Sequence, residues 1–123
     1  MSATPRIVSF SSNAVEAQRS VPEVERVLAG EPQLTVWNHY ADETQQFFAG
    51  VWAATRGRWV VRYTEHEFCH LLAGRVVLTS EAGERLEFSR GDSFVVPAGF
   101  TGTWEVTEDC RKVYAIFEPR SPQ

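Results

Sequence analysis

The sequence predicts an all-β domain, a sandwich or a barrel, with one short helix near the N-terminus. Three observations predict it. From Glu31 onward, glycines and turn residues punctuate nine short runs rich in β-branched and aromatic residues. The punctuation itself has turn chemistry: Glu81-Ala82-Gly83-Glu84 separates RVVLTS from RLEFS, and Arg90-Gly91-Asp92 and Pro97-Ala98-Gly99 are two further breaks. The chain has 123 residues, of which 43% are hydrophobic and 23% charged, which suits a single domain with one real core.

The elements follow in order. Residues 1–19 are polar with little periodicity and read as an N-terminal arm, with Ile7-Val8-Ser9-Phe10 as its best edge strand. Ser20-Val21-Pro22-Glu23 has the form of a capping box with Pro in the first turn. Val24, Val27 and Leu28 then recur at helical spacing and Gly30 supplies a stop, so a helix is expected over about 21–29. The β-rich runs are 33–39, 45–53, 58–64, 68–72, 75–80, 84–88, 92–96, 102–107 and 112–117. Residues 20–123 form one domain on this reading, with the barrel itself over about 45–118.

Net charge is −4, so neither nucleic acid nor a membrane is an expected partner. Eleven of the twelve basic residues are Arg, and Lys112 is the single Lys. Arg111-Lys112 reads as a solvated charged pair on an edge strand. The two cysteines, Cys69 and Cys110, do not make a disulfide framework and are expected as buried reduced thiols. That expectation, with an N-terminus MSATPRIVSFSSN lacking the apolar stretch of a signal peptide, points to the cytoplasm.

His66-Glu67-Phe68-Cys69-His70 fits the H-E-x-x-H pattern of zinc metalloproteases. That motif works because a helix sets residues i and i+4 on one face, with Cβ atoms roughly 5–6 Å apart. A strand rises about 3.3 Å per residue and separates them by roughly 13 Å. The flanks are strand-like: WVVRYT precedes the pattern, and LLAGRVVL follows, with Gly74 placed to break a helix. The match is therefore expected to be a chance one within a strand.

Glu67 followed by six residues and Gly74 resembles the end of the first cupin motif. Gly91-Asp92-Ser93-Phe94-Val95-Val96-Pro97-Ala98-Gly99 resembles the start of the second. With the wording EFCHLLAG, GDSFVVPAGFTGTWEV and RKVYAIFE, residues 50–117 resemble the cupin_3 or DUF861-type group. The relatives of that group include the ureidoglycine aminohydrolases and an ethanolamine-utilisation cupin. The resemblance implies a cupin, RmlC-like jelly-roll β-barrel and a homodimer paired through N-terminal strands. Many cupins bind a metal through two His and one Glu of the first motif and one His of the second. Here those histidine positions fall on Val61 and Tyr63, or on Val60 and Arg62 by the alternative spacing, and on Gly102. The expected Asn position is Val106. Only Glu67 remains, so no cofactor is expected. A divalent metal would have to recruit His70 or His66 beside Glu67.

Strand parity sets Trp59, Val61, Tyr63, Glu65 and Glu67 on one face if no bulge intervenes. Glu67 and Tyr63 are the candidate catalytic acid–base pair. Trp59, Glu65, Trp104 and Tyr114 are candidate ligand-binding residues. Three functional classes follow: a metal-independent small-molecule enzyme, an isomerase, lyase or hydrolase, with Glu67 and Tyr63 as its acid–base pair; a metal-dependent hydrolase or isomerase related to the ureidoglycine aminohydrolases; and a non-catalytic ligand-binding or sensor domain.

Overall fold

The computed structural model describes residues 4–120. Regular structure in this span comprises β1 (Gln18–Ser20), a single 3-10 turn (Val24–Arg26), β2 (Val27–Gly30), β3 (Leu34–Ala41), β4 (Phe47–Ala54), β5 (Gly57–Arg62), β6 (His66–Ser80), β7 (Arg85–Ser89), β8 (Ser93–Val96) and β9 (Thr101–Phe117). All pairings are antiparallel. Strand β9 organises the barrel: its first half pairs with β5, its second half with β4, and β6 runs along it from Ser80 to His66. The sheet extends through β4 to β3 and β1, and through β5 to β2, while β7 and β8 extend it from β6. The sheet therefore curls on itself, and its concave side holds Trp104, Leu71, Val76, Val106, Cys69 and Cys110, all buried. Among the described residues, no helix is long and apolar enough to cross a membrane.

Two pairs of predicted runs fuse. The runs 68–72 and 75–80 are one fifteen-residue strand, β6. The runs 102–107 and 112–117 are one seventeen-residue strand, β9. The register shifts around Ala73 show why no break is needed: bulges bend the pair, and the chain passes from one half of the sheet to the other without a turn. Gly74 lies at that bend with φ of +87°, and a Cβ there would stand 2.3 Å from the Asp109 carbonyl oxygen and 2.6 Å from Cys110 Cα. Both obstacles are backbone atoms of the paired strand. Gly74→Ala is therefore expected to cost about 2–3 kcal/mol, read as a lower urea midpoint; an unchanged midpoint would show that the bend relaxes freely.

The helix predicted over 21–29 does not form. Residues Val24–Arg26 make one 3-10 turn, Glu23 at its N-terminus accepts no side-chain cap bond, and Ser20 is paired in β1 with Leu34. The apolar stripe that suggested a helix has nothing to cover it, since Val24 is 85% and Leu28 51% exposed. An isolated helix this short is unstable without such packing, whereas Val27 and Ala29–Gly30 gain ladder bonds to Trp59 and Arg58–Gly57 in β5. The edge strand expected at 7–10 is likewise absent, and the first strand lies further on, at Gln18–Ser20.

Candidate functional site

A cavity of about 450 Å³ opens on the concave side of the sheet. Strand β4 contributes Trp52, β5 contributes Trp59 and Val61, β6 contributes Glu67, and β9 contributes Trp104 and Lys112. The segment carrying Val21, Glu23 and Arg26 borders it, as do Arg62, Tyr63 and Glu65 from the end of β5 and the connection to β6. Regular pairing in β5 stops at Arg62 and resumes at His66. Tyr63 nonetheless keeps sheet-like bonds to the 97–100 turn, donating its N–H to the Phe100 carbonyl at 2.9 Å and accepting from Gly99 N–H at 2.8 Å. These bonds hold its ring on the cavity side although the strand has formally ended.

Glu67 is the centre of the site. It is 5% exposed, and both oxygens are engaged. The Tyr63 hydroxyl donates to Oε1 at 2.8 Å. Lys112 Nζ donates to Oε2 at 2.9 Å, with both side chains almost fully buried. The same ammonium stands 3.5 Å from Cys69 Sγ and lies over the rings of Trp52 and Trp104, at 4.4 and 4.2 Å from their centroids. Carboxylate, thiol and two aromatic faces thus surround one cation.

The electrostatics follow from burial and this pairing. Burial alone would favour neutral Lys112, but the Glu67 carboxylate beside it outweighs burial, and the ammonium is held above its ordinary range. Burial, then the Glu67 charge, holds the Tyr63 phenol well above its ordinary value of 10.0. Tyr63 is therefore a neutral hydrogen-bond donor at any physiological pH. Burial pushes the Cys69 thiol up to about 12, against the opposing pull of Lys112, so it stays protonated.

Of the residues singled out from sequence, Glu67, Tyr63, Trp59, Glu65 and Trp104 come together around this cavity. Tyr114 is buried on the same side of β9, but its hydroxyl donates to Asn38 Oδ1 at 2.6 Å, next to Gly50, and it does not border the cavity. Residues 66–70 are strand, as expected from their flanks. His66 and His70 lie on the face of β6 opposite Glu67: His66 stacks on Phe117 and accepts from Ala98 N–H, and His70 bonds Ser93 Oγ at 2.7 Å. Lys112 overturns its sequence reading: it is 3% exposed, and the solvated member of the pair is Arg111, whose guanidinium covers Trp37. Its signal was parity, since Lys112 is an even number of residues from Trp104, Val106, Cys110 and Tyr114, all inward.

The metal that many cupins hold does not fit these residues. Glu67 Oε2 is already bound to an ammonium, the thiol beside it is protonated, and the nearby phenol is neutral. At Gly102, any Cβ would meet the Thr79 carbonyl oxygen at 2.0 Å, so no side chain can enter from that position. Among the described residues, no three His, Cys, Asp or Glu side chains cluster as ligands.

Comparison with known proteins agrees with this fold. The model of the EutQ-like cupin domain family matches residues 41–114, more than half of the chain. A DUF861-family protein of unknown function from Pseudomonas syringae pv. tomato superposes with a TM-score of 0.76 at 29% identity, over 85% of this chain and 46% of that one. The chain thus spans about half the length of that relative. A DUF861-family protein from Thermotoga maritima is 31% identical, with a TM-score of 0.51, over 52% of this chain and 73% of that one. The EutQ protein of Clostridium difficile shares the fold alone, at 14% identity and a TM-score of 0.64, over 71% of this chain and 64% of that one. No curated protein matches the sequence. The two half-motifs at Glu67–Gly74 and Gly91–Gly99, the curled antiparallel sheet and the matched span make this chain a member of the EutQ-like cupin domain family.

Proposed function

We propose that the barrel binds a small organic molecule over the Glu67–Tyr63 pair, without a metal held by the family's usual imidazoles. The observation that carries this reading is a buried, doubly hydrogen-bonded carboxylate bordering a cavity of about 450 Å³, a volume in the range of small-molecule sites. Trp52 and Trp59 supply flat apolar walls. Each carboxylate oxygen accepts one bond within the chain and keeps a lone pair for a ligand. In turnover, Glu67 takes the proton of an acidic group on the ligand, and neutral Tyr63 reinforces the carboxylate geometry. Lys112 has its donors committed to Glu67 and Cys69 and to the two indole faces, so it fixes the carboxylate. The protein acts in the cytoplasm on this reading.

The indoles bordering the cavity provide the assay. A panel of small polar metabolites is titrated against intrinsic fluorescence and thermal stability. Ligands of the barrel are expected to lose at least tenfold in affinity in Val61→Trp, which fills the cavity, and to weaken in Glu67→Gln. Ligands that bind both variants as tightly as the unaltered protein would remove the basis for a barrel site. With any substrate so found, Glu67→Gln is expected to abolish turnover while binding persists; undiminished turnover would leave a binding module.

A further inference from the structure

The charges lining the cavity do not all find a partner within the chain. Three carboxylates border it, on Glu23, Glu65 and Glu67, and three cations, on Arg26, Arg62 and Lys112. Two pairs are closed: Lys112 with Glu67 at 2.9 Å, and Arg26 with Glu23 at 4.0 Å. Glu65 and Arg62 are left over, and neither makes an ion pair among the described residues. They stand on one short connection, Arg62 as the last residue of β5 and Glu65 as the last before β6. The stretch between them is fastened. Tyr63 is tied by its backbone bonds to Phe100 and Gly99, and the Thr64 hydroxyl donates to Glu118 Oε1 at 3.0 Å. An unpaired acid and an unpaired base are thereby presented to one cavity by a segment that is already ordered, so little ordering is left for a ligand to impose.

We infer that the barrel takes a zwitterionic amino acid with an apolar body, its ammonium received by Glu65 and Glu67 and its carboxylate by Arg62. The inference rests on the barrel site proposed above and names the class of molecule that site holds. Charge decides the class. A ligand with a single charge answers only one of the two groups left over: a cation leaves Arg62 unmatched, and an anion leaves Glu65 so. A molecule carrying both charges answers each, and its net charge of zero suits a lining whose acids and bases are equal in number. At the ammonium end the two glutamates divide the work. Each Glu67 oxygen keeps a lone pair beyond the bond it accepts from Tyr63 or Lys112, so Glu67 supplies acceptors. Its charge is already balanced by Lys112, so the charge that compensates an incoming ammonium is that of Glu65. At the other end, the planar guanidinium of Arg62 offers a donor fork that matches a carboxylate. Between the ends the walls are apolar, with Trp52, Trp59 and Val61 among them. Their indole faces suit an aliphatic body and also attract a cation. A cavity of about 450 Å³ is ample for a molecule of this size.

Three probes with one apolar body separate the charges: leucine carries both, isopentylamine lacks the carboxylate, and isocaproate lacks the ammonium. Each is titrated against the indole fluorescence and thermal stability of the unaltered chain, of Arg62→Gln and of Glu65→Gln. Leucine is expected to bind at least tenfold more tightly than either single-charge probe. Arg62→Gln is expected to lower leucine to the level of isopentylamine without weakening isopentylamine itself. Glu65→Gln is expected to lower leucine to the level of isocaproate without weakening isocaproate. Neither residue has an ion partner in the chain, so both variants are expected to melt with the parent when no probe is present. A single-charge probe that matches leucine, or variants that weaken all three probes alike, would overturn the assignment. The site and its ligand class fail differently. Leucine failing to bind while other small molecules bind and are lost in Val61→Trp would remove the zwitterion and keep the barrel site. No small molecule responding to Val61→Trp would remove both.

Discussion

Replacing Lys112 by Met is expected to destabilise the barrel by about 3–5 kcal/mol, the range for removing one partner of a buried ion pair. The geometry places it at that level and not at the level of a surface pair. Both side chains are nearly inaccessible, and the contact is 2.9 Å. Met fills most of the volume of the Lys stem between Trp52 and Trp104, so little of the loss is packing. What remains is an uncompensated Glu67 carboxylate held by one phenol. For a chain of this length the change corresponds to roughly 12–20 °C in Tm. The double variant Lys112→Met/Glu67→Gln removes both charges and leaves an amide that still accepts from Tyr63. It is expected to recover at least about 2 kcal/mol relative to Lys112→Met alone, and that recovery plus the cost of Glu67→Gln alone is the coupling of the pair. A denaturation cycle reads all four proteins. A Lys112→Met protein within about 1 kcal/mol of the parent, or strictly additive single effects, would show that the ammonium is dispensable.

The same residue marks where the sequence could be read and where it could not. Period-two alternation put Trp59, Val61, Tyr63, Glu65 and Glu67 on one side, and they do border one cavity. The parity survives the irregular connection at 63–65 because Tyr63 keeps its bonds to the 97–100 turn. Lys112 obeys the same rule on β9, but a charge in a strand is far more often solvated than buried, and the rule of composition displaced the rule of period. Its partner Glu67 is forty-five positions away, so the pairing needed the β6–β9 register to be visible at all. Tyr114 fails for the opposite reason: its face was read correctly, yet Asn38 on β3 accepts its hydroxyl over the space left by Gly50 on β4, away from the cavity. The missing helix is a local signal overruled by tertiary pairing. A cap pattern and three apolar residues cannot compete with ladder bonds to β5 when nothing packs on the apolar stripe. Fold recognition rested on Glu67–Gly74 and Gly91–Gly99, and in those stretches local and global preferences coincide.

Alkaline pH is expected to weaken the barrel well before any lysine titrates. Burial pushes Cys69 up to about 12 and Cys110 up to about 11 in the folded chain, against 9.0 when exposed. Burial and the Glu67 charge push Tyr114 up to about 12, against 10.0. Tyr63 moves further in the same direction, and the Lys112 ammonium, lowered by burial but raised more by Glu67, also titrates above its ordinary 10.5. The sign is the same for all five groups. As pH rises past each ordinary value, the unfolded chain releases a proton that the folded chain keeps, so the unfolded state binds fewer protons and stability falls. The stabilisation is complete below pH 9 and is lost in order, thiols first, then tyrosines, then the Lys112–Glu67 pair. Each thiol contributes about 1.4 kcal/mol per pH unit above 9, so the two together remove about 2–3 kcal/mol by pH 10. Urea unfolding under reducing conditions, at about pH 7.5, 9 and 10, measures the loss. Cys69→Ala/Cys110→Ala is expected to flatten the profile between pH 9 and 10 and to keep the steeper fall above it, because tyrosine and lysine titrations are untouched. A midpoint unchanged from pH 7.5 to 10 would mean that the thiols ionise as freely in the barrel as in water, against the burial of Cys69 and Cys110 in the core.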